Sequence, residues 1–109
     1  MMQEDLSRNA VTRRIKAALV KRSGVQWSVT GGTGTAYGWI TITAPPSRRQ
    51  NGGSCMTDAD RQLLAELLGL PRPCHHQGED IGGSNDYYRE YIDRAEGRAP
   101  RKIAQPYWD

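Results

Sequence analysis

Two stretches of alternating apolar and polar residues flank a glycine-rich connection, and no other pattern constrains the fold so tightly. In Val25-Gln26-Trp27-Ser28-Val29-Thr30, the side chains of Val25, Trp27 and Val29 share one face of an extended strand. After Gly31-Gly32-Thr33-Gly34-Thr35-Ala36, a second strand from Tyr37 to Thr43 also alternates, with Gly38, Ile40 and Ile42 on one side. The expected product is an antiparallel hairpin. Pro45-Pro46 ends it, because proline has no N–H to give to a ladder. With Val25, Trp27, Val29, Ile40 and Ile42 inward, Gln26, Ser28, Thr30, Tyr37, Trp39, Thr41 and Thr43 point the other way.

Helices are expected on either side of this hairpin. From Ser7 to Arg22, Val11, Ile15, Ala18 and Leu19 recur at helical spacing, with Ser7 or Asn9 as N-cap and Gly24 as terminator. Its polar side is basic, and Lys21 and Arg22 complement the dipole of the last turn. Arg48 and Arg49 belong to a surface loop, Ser47 to Ser54. Thr57 with Asp60 makes a capping-box-like start to a second helix, whose stripe is Leu63, Leu64, Leu67 and Leu68 and whose end is set by Gly69 and Pro71. Residues Arg72 to Gly83 read as irregular, with a possible short strand near Cys74. Ser84 or Asn85 then caps a third helix to about Glu96 that buries Tyr88, Tyr91, Ile92 and Ala95. The fold class is therefore α+β: a small antiparallel sheet built on a hairpin, backed by helices, in the order α-β-β-α-α with a possible third strand. There is no internal repeat.

A chain of 109 residues is the size of one domain, so 1–109 is expected to fold as a unit with a short flexible N-terminus and a tail from about 97. In that tail, Ile103 and Pro106-Tyr107-Trp108 are apolar enough to anchor it back on the domain. The acidic start Met1-Met2-Gln3-Glu4-Asp5 is unlike a secretory signal and the apolar runs are short, which points to a cytoplasmic protein with no membrane partner. Cys55 and Cys74 are then expected as free thiols. The net charge of +3 is unevenly spread. Residues 1–54 hold eight basic and two acidic side chains, a net of +6, whereas residues 55–109 hold seven and ten, a net of −3. A basic half suits a polyanion.

Three motifs carry possible chemistry. Val29-Thr30-Gly31-Gly32-Thr33-Gly34 resembles the opening of a dinucleotide-binding fold, but the period-two run Trp39 to Thr43 follows where a helix is required, and no phosphate-binding Gly-Lys-Ser/Thr is present. A hairpin loop is the better account, and no cofactor is expected. Cys74-His75-His76, with Cys55, Glu79, Asp80 or Asp86, lacks the paired spacing of zinc ligands, so no metal is expected. His75 or His76 could act as a general base with Asp86 and the hydroxyls of Ser84, Tyr87 and Tyr88, although Asp86 also suits the first turn of a helix.

The outward aromatics Tyr37 and Trp39 stand among small polar residues, a composition suited to stacking single-stranded bases while cations hold phosphates. The residue runs Val11-Thr12-Arg13-Arg14-Ile15-Lys16-Ala17-Ala18-Leu19 and Gly24-Val25-Gln26-Trp27-Ser28-Val29 resemble the opening of a large polyvalent-protein-associated domain of bacterial and phage mobile-element proteins, over residues 8–70. More broadly, the chain is similar to an uncharacterised bacterial protein family. The resemblance implies an accessory module of DNA mobility or defence and carries no catalytic residues. The expected function is a non-enzymatic module binding single-stranded nucleic acid weakly through Arg13, Lys16, Tyr37, Trp39, Arg48 and Arg49. A protein-interaction domain and a small enzyme built on His75-His76 are the alternatives.

Overall fold

The computed structural model describes residues 6–32, 38–53 and 55–98. The hairpin loop 33–36, Tyr37 and the tail with Ile103, Tyr107 and Trp108 lie outside the described residues. The elements are α1 (Arg8–Ser23), β1 (Ser28–Gly31), β2 (Ile40–Thr43), α2 (Asp58–Leu68), β3 (Glu79–Ile81) and α3 (Asn85–Ala95), an α+β fold in the order α-β-β-α-β-α. The strands form one antiparallel sheet, β1-β2-β3.

β1 and β2 pair as the alternation predicts, with Val29 opposite Ile42 and Gly31 opposite Ile40. β1 starts at Ser28, not at Val25. Ser28 pairs with Thr43, the last residue of β2, so two more steps would bring Gln26 toward Pro45, which has no N–H. The chain turns instead: the Trp27 N–H donates to the Val25 carbonyl (2.9 Å), and the Trp27 indole N–H donates to Ser23 Oγ (3.1 Å). β2 likewise begins at Ile40. Gly38, expected to share a face with Ile40 and Ile42, lies in a turn at φ 98°. The third strand is not at Cys74 but five residues later, at Glu79–Ile81, where Ile81 pairs with Ile40 and Glu79 with Ile42.

Each helix starts and ends on the expected signals. Ser7, Thr57 and Ser84 accept, through their hydroxyls, the N–H groups of Ala10, Asp60 and Tyr87. Gly24 and Gly69 close α1 and α2 in the left-handed conformation that costs glycine least. The expected capping box is only half made, since the Asp60 carboxylate bonds Arg48 and not the start of its own helix.

All three helices lie on one face of the sheet. Val11, Ile15 and Leu19 of α1, Leu64 and Leu68 of α2, and Tyr88, Tyr91, Ile92 and Ala95 of α3 form one core with Trp27, Val29, Ile40, Ile42 and Ile81. Complete burial of each large side chain contributes about 1.5–3 kcal/mol. By the alternation of the strands, Thr30, Trp39, Thr41 and Asp80 occupy the other face, which no described helix covers. Among the described residues the fold is thus two layers, with helices on one side of the sheet and an uncovered face on the other.

Candidate functional site

α1 carries six cations and no carboxylate, and its buried ridge decides what they can reach. Three are held by the fold. Arg8 Nη1 donates to the Gly32 carbonyl (2.7 Å) beside the hairpin loop. Arg14 donates from Nε and Nη2 to the Glu96 carboxylate (2.9 and 3.2 Å). Arg22 Nη1 donates to the carbonyls of Leu67 and Ala95 (2.8 Å each), which tie the C-terminal ends of α2 and α3 to α1.

The other three, Arg13, Lys16 and Lys21, are exposed and make no hydrogen bond or ion pair among the described residues. Arg13 stands two residues from both Val11 and Ile15, roughly half a helical turn away from the buried ridge. Lys16 and Lys21 lie on either side of it, roughly 60° and 80° around the axis, so the free cations are spread over the solvent side of the helix along about 12 Å of its length. Lys21 also lines a groove with Arg14, Arg22 and Arg98, where Glu96 is the one carboxylate among the described residues. The Arg14 hydrogen bond, helped by Arg98, holds the Glu96 carboxyl below the usual carboxylate range. It is ionised at neutral pH and already paired, and the groove keeps a positive excess.

The remaining sequence-derived site residues lie elsewhere. Trp39 is 48% exposed on the open sheet face, across the layer from Arg13 and Lys16. Arg48 forks onto the buried carboxylate of Asp60 (Nε–Oδ2 3.1 Å, Nη2–Oδ1 2.5 Å), and Arg49 Nε donates to the Ala44 carbonyl (2.7 Å). Both therefore hold the loop after β2 to the body of the fold. Tyr37 lies outside the described residues. The fold brings Arg13 and Lys16 together on one surface but does not bring Trp39 to it. Lys21, read from sequence as a dipole partner, lies on the flank of that surface; its place almost in line with Arg14 on a helical projection is the signal that marks it.

The His75-His76 turn sits over the edge of the open face. Its exposed imidazoles line a groove with Cys55, Gln77, Gly78 and Asp80, and the His76 carbonyl accepts the N–H of Met56 (2.7 Å). The other members of the sequence-derived catalytic set are dispersed: Asp86 pairs with Arg89 (3.5 Å), and the buried Tyr88 gives its hydroxyl to the Gly38 carbonyl. No group of three or more His, Cys, Asp and Glu side chains among the described residues is arranged to hold a metal ion.

Beneath β3, Glu79 is 2% exposed and accepts from Arg72 (3.2 Å to each oxygen) and from the Tyr91 hydroxyl (2.6 Å). Burial, reinforced by the Glu79 charge, raises the Tyr91 hydroxyl above its ordinary value and pushes the neighbouring Cys74 thiol up to about 12. Such a thiol is protonated at neutral pH and is a poor nucleophile. This cluster ties β3 to α3.

No helix among the described residues is long and apolar enough to cross a membrane. Comparison with known proteins finds no matching family model, no matching curated protein and no matching solved structure.

Proposed function

We propose that the protein is a binding module for nucleic acid, held by its phosphates along the solvent face of α1. One observation carries this reading: after the fold has used Arg8, Arg14 and Arg22, three exposed cations remain free on the solvent side of a helix that has no carboxylate. Phosphates replace their condensed counterions with such side chains, and the gain needs no particular base. The expected binding is weak, tolerant of sequence and sensitive to salt. Trp39 stands on the opposite layer, so base stacking on it is not part of the α1 contact, and single- and double-stranded forms should bind with similar affinity.

The test is a titration of a labelled oligonucleotide at low salt. The combined substitution Arg13→Ala, Lys16→Ala and Lys21→Ala should abolish saturable binding while the circular dichroism spectrum is kept, because all three side chains are exposed. Trp39→Ala should leave it intact. Binding that survives the triple substitution, or that is lost with Trp39→Ala, rejects the α1 surface.

A further inference from the structure

The β3 edge of the sheet, where the face turned away from α1 meets α3, offers the reverse chemistry. Trp39 and Tyr87, 48% and 47% exposed, line the same groove of about 510 Å³, together with Asp80, Glu90 and Tyr91, and among the described residues no lysine or arginine lines it. We propose that this groove receives an arginine side chain presented by a partner protein.

The groove is built into the fold. Its floor is Gly82-Gly83, where an added side chain would crowd the groove: a Cβ on Gly82 would stand 2.9 Å from the Tyr87 ring and displace it, and one on Gly83 would stand 3.1 Å from the Gly38 carbonyl carbon. One wall is fixed by the Tyr88 hydroxyl, which bonds the Gly38 carbonyl and holds the start of β2 against α3. The acid at the base is also held in place. Thr41 Oγ1 donates to Asp80 Oδ1 (2.8 Å), and Asp80 has no cationic partner among the described residues. Glu90 is answered by Arg94 (3.0 Å), so Asp80 is the carboxylate open to a guest. The positive end of the α3 dipole beside the groove is already met by the Ser84 hydroxyl and by Asp86 in the first turn.

Aromatic faces beside an unneutralised carboxylate suit a planar cation. Guanidinium can stack on an indole or phenol face while it donates in its own plane to the carboxylate, whereas ammonium can only approach as a point charge. A nucleobase would find the same aromatics, but its phosphates would be carried toward Asp80 and Glu90. Charge complementarity therefore selects a basic polypeptide for this face, just as it selects a polyanion for the other.

The experiment uses the labelled full chain and a Gly-Arg-Gly-Arg-Gly peptide, followed by amide and indole resonances. The peptide should move the signals of Trp39 Nε1–H, Gly82 and Gly83, and its citrulline counterpart, equal in shape but uncharged, should bind about tenfold more weakly. Asp80→Asn should lower arginine-peptide affinity by a similar factor, and Trp39→Ala should remove it. The Trp27 indole resonance, whose N–H is bonded to Ser23, reports in each variant that the fold is intact. Equal binding of the citrulline peptide overturns the proposal. So does a thymidine oligomer that moves the Trp39, Gly82 and Gly83 signals in place of the peptide. The triple substitution on α1 should leave peptide binding unchanged, which separates this site from the phosphate surface.

Discussion

Among the described residues three carboxylates are buried, Asp60, Glu79 and Asp93, and each is met by an arginine that reaches in from solvent: Arg48, Arg72 and Arg98. A buried charge deprived of its partner loses far more than the pair itself contributes. Arg48→Ala should therefore lower stability by about 1–3 kcal/mol, the smaller end of such losses because its guanidinium is half exposed, and oligonucleotide affinity should not change. Urea denaturation and a binding titration of the same sample check both outcomes. Glu96 gives a pH signature. Arg14 lowers its carboxyl in the folded state relative to the unfolded chain, so ionised Glu96 stabilises the fold above the unfolded value of about 4.3. That contribution is lost as the pH falls through the lower, folded value. Glu96→Gln removes it, and the stability difference between wild type and variant should shrink as pH drops from about 5 to about 3. A difference that stays constant across that window would mean the Arg14 pair does not stabilise the fold.

At the scale of elements, all three helices were legible because each combines a hydroxyl cap with apolar residues at helical spacing, and the pairing of β1 with β2 was legible from alternation. What escaped the sequence reading was decided across the chain. The start of β1 depends on Pro45 in the partner strand, and β3 is a three-residue segment, Glu-Asp-Ile, two of whose residues disfavour strands. β3 forms because Gly78 lets the chain pass over β2. At φ 123°, its Cβ position lies 2.6 Å from the Ile42 carbonyl oxygen, space that only glycine leaves free. Gly78→Ala should accordingly destabilise by about 1–3 kcal/mol and loosen β3, seen as faster amide exchange at Asp80 and Ile81 with little change in α1. The candidate surface was half legible for a similar reason. Composition located the basic helix, but which cations stay free depends on partners such as Glu96 and the Leu67 carbonyl, both far away in sequence.

At the scale of the whole molecule, the two-layer arrangement keeps the chemistries apart. The core that joins α1 to the sheet turns Arg13 and Lys16 to one side and Trp39 and Asp80 to the other, so the two proposed surfaces do not overlap. The salt dependence of oligonucleotide binding tests the first of these surfaces most directly. Three phosphate contacts predict a slope of log K against log salt of about −2 to −3, between the single-strand and duplex values. Removing one contact, by Lys16→Ala, should flatten that slope by about 0.7–0.9. A slope that Arg13→Ala, Lys16→Ala and Lys21→Ala all leave unchanged would contradict phosphate binding on α1.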